Sequence, residues 1–240
     1  MERILDYLKE ATKPDIRSLM DIFDVLYDRN LSSESQRELY YMYRGLALND
    51  ADRLKIRSAG LRYDITVINP GLMGEEYVKT LGHYHPNVPG TDLTYTEVYQ
   101  VLEGRADYLL QKEVGGLLVD VALMEAASGD VVVIPPNYGH ITINPGEQKL
   151  VMSNWVFEDF KSDYATIRNR GGGAYFELSG GRFVENRKYG IVPKLRRLKP
   201  KDLPGLGLKR NADMYALVSD LSKLDFLKKP QDYAFLDSVL

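Results

Sequence analysis

A mainly β protein, built as a sandwich or barrel with helical extensions at both ends, is what three features of this sequence predict. From Tyr63 onward, short β-rich runs alternate with turn residues at the spacing such folds use. Before that point, apolar residues recur at helical spacing. The 240 residues contain 44% apolar residues and no cysteine, so the core must form without disulfides.

Ile16, Leu19, Phe23 and Leu26, with Met20 and Tyr27 beside them, predict an amphipathic helix from Pro14 to Tyr27. Pro14 and Asp15 suit its first turn. Ser33 with Gln36 could form a capping box for a second short helix, while Leu39 to Tyr43 reads equally as a strand. Asn49 to Gly60 predicts a helix opened by Asn and closed by Gly. The β-rich runs are Tyr63 to Ile68, Tyr77 to Leu81, Glu97 to Leu102, Tyr108 to Gln111, Leu117 to Met124, Val131 to Ile134, Ile141 to Ile143 and Leu150 to Phe157. Asn-Pro-Gly at 69 and 144, Gly115-Gly116 and Ser128-Gly129-Asp130 supply turns between them. Arg187 to Lys201 holds seven basic residues and no acid, and reads as a solvated loop. Met214 to Leu227 reads as a closing helix. The division expected is a helical extension over 1–59, a barrel over 60–189, and a loop with a helical tail over 190–240.

A net charge of −3, from 31 basic and 34 acidic residues, argues against nonspecific nucleic-acid binding. No apolar run of ~18 residues and no leader pattern indicates membrane insertion or secretion, so a cytoplasmic protein with no membrane partner is expected. Histidine is the informative count, because only three occur. On a strand, His83 and His85 point to one face. Glu97 opens the next strand, where a hairpin could return its carboxylate beside them, and His140 follows a turn-rich stretch. Read alone, each His is more simply an ordinary hydrogen-bonding side chain, and only the His-x-His pair brings the metal reading level with that one. As a set, three imidazoles and a carboxylate suit Fe(II), Mn(II), Ni(II) or Zn(II) better than Ca(II) or Mg(II).

The spacing around these residues resembles the cupin superfamily. Glu97-x6-Gly104 matches the end of its first motif, and Gly129-x5-Pro135-x-Asn137-x2-His140-x3-Asn144 matches the second. Asn137 stands where the pattern has Gly, and both tolerate left-handed backbone. Eleven residues, in place of three or four, separate His85 from Glu97 and should widen a loop at the barrel mouth. Within cupins the chain is similar to the cupin-type glucose-6-phosphate isomerases. Thr66-Val67, Pro70-Gly71, Thr80-x-Gly82-His83-x-His85, Glu97-Val98-Tyr99, Leu109-Leu110-Gln111, Pro135-Pro136 and Asp163-Tyr164-x-Thr166-Ile167 carry that similarity over roughly residues 60 to 185.

The resemblance implies a double-stranded β-helix (jelly-roll) barrel. It also implies one divalent metal per subunit, Fe(II) first and Mn(II), Ni(II) or Zn(II) after it, on His83, His85, Glu97 and His140. It assigns Thr66, Thr80 and Gly82 to a sugar phosphate, Tyr99 to the active site beside the ligand carboxylate, and either Tyr40 or Tyr43 to the substrate pocket. Two positions depart from the family: Ser162 stands where it has a His, and a pocket tyrosine falls near Trp155, which alone reads as core. Aldose to ketose conversion needs stabilisation of an enediolate by a Lewis acid, and a base if hydrogen travels as a proton, for which Glu97 is the candidate with Tyr99 as a relay. A hydride shift would need no base. An Fe(II) cupin oxygenase and a noncatalytic sugar-binding cupin are the alternatives. A homodimer is expected, since barrel sheets expose apolar edges and faces that one chain seldom covers.

Overall fold

The computed structural model describes residues 13–31 and 36–240. In chain order the strands are β1 (Asp15–Ser18), β2 (Glu38–Tyr43), β3 (Leu61–Ile68), β4 (Leu72–Met73), β5 (Glu76–Tyr77), β6 (Glu97–Glu103), β7 (Arg105–Val114), β8 (Leu117–Ala127), β9 (Val131–Ile134), β10 (Tyr138–Ile143), β11 (Leu150–Phe157), β12 (Tyr175–Leu178), β13 (Arg182–Glu185) and β14 (Arg196–Leu198). They form a six-stranded sheet ordered β1-β2-β3-β11-β6-β9, a four-stranded sheet ordered β10-β7-β8-β14, and a small sheet ordered β13-β12-β5-β4. The mainly β barrel expected from the sequence is the fold of the chain. Gly115 and Gly116, both at positive φ, make the two-residue turn between β7 and β8 that matches strand twist.

The two larger sheets share one apolar core, in which Val101, Tyr108, Leu110 and Leu123 are fully buried. A second cluster covers the other face of the six-stranded sheet, where Tyr63, Ile65, Val98 and Trp155 meet Tyr215, Leu224 and Phe226 from the C-terminal segment. Both faces of that sheet are thus covered, which explains why β3 and β11 are buried at almost every position. Trp155 belongs to this second cluster: its ring meets that of Tyr63 at a tilt and stacks with Tyr215, and its Nε1–H donates to the Met214 carbonyl at 3.1 Å.

The termini differ from the sequence expectation. The predicted helix from Pro14 to Tyr27 is instead β1 followed by a 3-10 turn over Met20–Val25. Ile16 pairs with Tyr41 of β2, and Leu19, Ile22 and Val25, three apart, are buried side by side, the repeat of a 3-10 helix. Leu39 to Tyr43 is strand, so the six-stranded sheet runs through the stretch expected to be a helical extension. Ser33 of the expected capping box lies outside the described residues. Asn49 to Gly60 forms as expected: α1 (Asp50–Ser58) is capped by the Asn49 side chain, which accepts the Asp52 N–H at 2.8 Å. The closing helix is two 3-10 stretches, Met214–Ser219 and Leu221–Leu227, interrupted at Asp220. The basic run after Arg187 is partly strand, with Arg196 and Arg197 of β14 paired to Asp120 and Glu125 of β8. Among the described residues no helix is long and apolar enough to cross a membrane.

Candidate metal centre and pocket

His83 and His85 sit beyond the run predicted from Tyr77 to Leu81, of which only the first residue is in a regular strand. The rest stays extended along β10: the Thr80 N–H donates to the Thr142 carbonyl at 2.8 Å, and His83 and His140 exchange both backbone hydrogen bonds at 3.2 and 3.0 Å. Gly82 makes this approach possible. Its φ is +83°, and a Cβ there would come within 2.3 Å of Ile141 Cγ1, a clash that any other residue would meet. The exchange brings the His83 and His140 rings to 4.4 Å between centroids.

Glu97 enters from the facing sheet at the start of β6. One donor atom from each of His83, His85, Glu97 and His140 lies within 4.8 Å of the others. His83 Nε2 is 3.1 Å from His85 Nε2, and Glu97 Oε2 is 3.3 Å from His85 Nε2 and 3.4 Å from His140 Nε2. The His85 Nδ1–H donates to the Tyr95 carbonyl at 3.0 Å, which leaves its Nε2 lone pair facing the cluster. Glu97 Oε1 accepts the Asn154 amide at 2.7 Å, whereas Oε2 is buried without a hydrogen-bond partner. A buried carboxylate oxygen without a donor, facing three imidazole nitrogens, is costly unless a cation occupies the space between them. The donor set fits a divalent ion that accepts nitrogen ligands.

The electrostatics agree with that use. Burial, with His140 and His85 nearby, holds His83 well below the usual histidine range, and burial lowers His140 against the pull of Glu97. Both are neutral at neutral pH, the form in which an imidazole can bind a metal. Burial raises Glu97, but contacts with His140 and His85 outweigh it and hold the carboxyl well below its ordinary range. Tyr99, 3.2 Å from His140 Nε2, is pushed well above the usual phenol range by burial and by Glu97, so its hydroxyl keeps its proton.

The four residues form part of the wall of a cavity of about 410 Å³, a size suited to a small metabolite. Tyr40, Thr66, Thr80, Gly82 and Tyr99 line it as well. Tyr43 does not, because on β2 alternate residues face opposite ways: Tyr40 and Met42 face the cavity, and Tyr41 and Tyr43 pack on the second apolar cluster. The Tyr40 hydroxyl accepts the Leu81 N–H at 3.3 Å, and burial pushes its pKa up to about 12. Thr80 Oγ1 accepts the Thr142 N–H at 3.0 Å. Ser162 lines the cavity, Trp155 does not, and its neighbours Asn154 and Val156 do.

Sequence reading missed several lining residues, namely Arg44, Arg62, Asp64, Asn154, Phe160 and Lys161. Counting back by twos from Thr66 on β3 would have found Asp64 and Arg62. The long loop after His85 is fastened to the second motif: the Thr94 N–H donates to Asn137 Oδ1 at 3.0 Å, and the Asn137 N–H donates to Thr94 Oγ1 at 2.7 Å. Asn137 has φ +67°, so it takes the left-handed turn expected at a Gly position and adds a side chain that holds the loop.

Comparison with known proteins supports the same reading. The family model described as glucose-6-phosphate isomerase matches residues 16–194. The glucose-6-phosphate isomerase of Thermococcus litoralis is 28% identical over 166 residues, covering 68% of this chain and 79% of that protein. That of Thermococcus onnurineus is 27% identical over 181 residues, covering 75% and 89%, and that of Pyrococcus furiosus is 29% identical over 163 residues, covering 68% and 79%. Among solved structures, oxalate decarboxylase from Bacillus subtilis aligns over 52% of this chain and 27% of its own, with 18% identity and a TM-score of 0.37, too partial a likeness to argue from.

Proposed function

The chain belongs to the glucose-6-phosphate isomerase family, and we propose that it interconverts glucose 6-phosphate and fructose 6-phosphate in the cavity between its two large sheets. The observation that carries this reading is the convergence of His83, His85, Glu97 and His140 in the cavity that Thr66, Thr80 and Gly82 also line. In the proposed arrangement those four residues hold one divalent ion, with Fe(II) first and Mn(II), Ni(II) or Zn(II) as the other candidates. The ion supplies Lewis-acid stabilisation of negative charge developing at the C1–C2 end of the sugar.

The chain's own groups account for the remaining steps. Thr66, Thr80, the Gly82 backbone and the Tyr40 hydroxyl surround the phosphate with short donors. Isomerisation moves one hydrogen from C2 to C1 and one proton from the C2 hydroxyl to the C1 oxygen. Tyr99 keeps its proton at neutral pH and faces the ligand cluster, so its hydroxyl is the group placed to hand a proton between the two oxygens. Glu97 has one oxygen fastened by Asn154 and the other turned toward the imidazoles, which favours a ligand over a free base. A homodimer in the cytoplasm completes the proposal. The exposed apolar residues Val114, Leu117 and Val119, at the β7–β8 turn, support association of two copies.

The test is a coupled isomerase assay on metal-stripped protein with divalent metals returned one at a time. Activity should vanish on stripping and return with one or more of the four metals. Oxygen consumption without isomerisation would establish the oxygenase alternative instead. Light scattering should give about twice the 27.3 kDa chain mass.

A further inference from the structure

Arg44 lines the cavity and has no part in this scheme. Tyr40 and Met42 of β2 and Arg44, just past its end, succeed one another on the cavity side, and Met42 pairs with Thr66 of β3. Arg44 is held loosely: its Nη2 donates to Met42 Sδ at 3.2 Å, a weak acceptor. Its Nε is 3.0 Å from Asp15 Oδ2, but Asp15 is 62% exposed, and pairs with so exposed a partner hold weakly. Its Nη1 is 3.7 Å from Asp64 Oδ2, and Asp64 is already satisfied by the Gly45 N–H and by Arg62 Nε, at 2.9 Å each. Arg62 and Lys161 line the cavity as well. Arg62 is committed, with Nε 2.9 Å from both Asp64 oxygens. Lys161, which follows Phe160, is the competing cation that the test below separates from Arg44.

The proposed phosphate donors Tyr40, Thr66, Thr80 and Gly82 are all uncharged. A phosphate dianion taken from water into a cavity walled by buried residues needs an opposite charge within reach. We infer that Arg44 is that charge: on substrate binding its guanidinium leaves Asp15 and turns to the phosphate held beside Tyr40 and Thr66. A planar fork of N–H donors matches two phosphate oxygens, and the contact with Asp15 is the resting position of the same group. The inference rests on the isomerase reading and adds to it the residue that selects phosphorylated over plain sugars.

Isomerase kinetics, with inorganic phosphate as a competing anion, test this on the full metal-loaded chain. Arg44→Gln should raise both the KM for glucose 6-phosphate and the inhibition constant for phosphate roughly 10- to 100-fold, with metal content unchanged. The dependence of KM on ionic strength should flatten, and Arg44→Lys should recover part of the loss. Asp15→Asn removes the tether and keeps the cation, so its KM should stay level or fall. Constants for Arg44→Gln within twofold of wild type would overturn the inference, as would an equal rise in Asp15→Asn or a larger one in Lys161→Gln. A wild-type protein with no isomerisation would defeat the isomerase reading instead, and calorimetric binding of inorganic phosphate to wild type and Arg44→Gln would still decide the role of Arg44.

Discussion

Replacing Asn154 with Leu keeps the volume of the side chain and removes the donor that fastens Glu97. The Asn154 amide reaches Glu97 Oε1 at 2.7 Å, with the two residues 5% and 4% exposed. A hydrogen bond to a charged group is worth about 1.5 to 3 kcal/mol. If that energy serves to aim Oε2 at the imidazoles, its loss appears as metal affinity, and the dissociation constant of the bound ion should rise roughly 10- to 150-fold. Competition against a chromophoric chelator measures that constant directly, and thermal unfolding of the metal-free variant shows whether the fold survives. Asn154→Asp should be worse at neutral pH, because it sets a second carboxylate against Glu97. An Asn154→Leu protein that folds and binds metal within twofold of wild type would refute the idea that this amide orients the ligand.

Two further predictions concern stability. Glu177 is buried beside Asp107, and its carboxyl is pushed up to about 8 by burial, then by Asp107 and its hydrogen bond with that residue. Between the ordinary glutamate range and about pH 8 the folded chain therefore keeps a proton that the unfolded chain has released, and stability should fall as pH rises through that window. Glu177→Gln should flatten the melting temperature between pH 5 and pH 8.5, and equal slopes for the two proteins would contradict the assignment. Gly82→Ala places a Cβ 2.3 Å from Ile141 Cγ1 at a φ of +83°. It should cost about 2 kcal/mol or more in denaturant unfolding and lower metal retention through the neighbouring His83. A stability within ~0.5 kcal/mol of wild type would show that the close approach of the His83 and β10 segments is not needed.

The parts of the fold that were legible in the sequence are those where local pattern and tertiary role coincide. β9 and β11 form over the residue ranges of their apolar runs, because runs bounded by turn residues leave the strand no other length. The Pro14 to Tyr27 segment misled because apolar residues three and four apart suit an α-helix and a strand-plus-3-10 segment alike. Which one forms is decided by Ile16 pairing with Tyr41 and by Ser18, whose N–H and hydroxyl both donate to Asp21 Oδ2 and close the turn between the two elements. The Met214 to Leu227 segment misled for a related reason, since its buried residues dock onto β3 and β11, and the break at Asp220 follows from that docking.

The candidate metal ligands were legible for a different reason. Three histidines in the whole chain, two of them two residues apart, leave few ways to use them other than together, and a barrel is the fold that brings residues 83 and 140 face to face. The rest of the cavity wall was not legible because it depends on which face of each strand turns inward, and that requires one fixed point. Once Thr66 is known to face the cavity, the two-residue repeat assigns Asp64 and Arg62 on β3. Register then carries the assignment across the sheet to Met42 on β2 and to Met152 and Asn154 on β11. The same rule turns Tyr43 away and sends Trp155 to the opposite face. The residues proposed to orient the ligand carboxylate and to neutralise the phosphate, Asn154 and Arg44, thus follow from pairing geometry. Neither lies in a motif, so a search by motif finds the candidate ligands and misses these two residues.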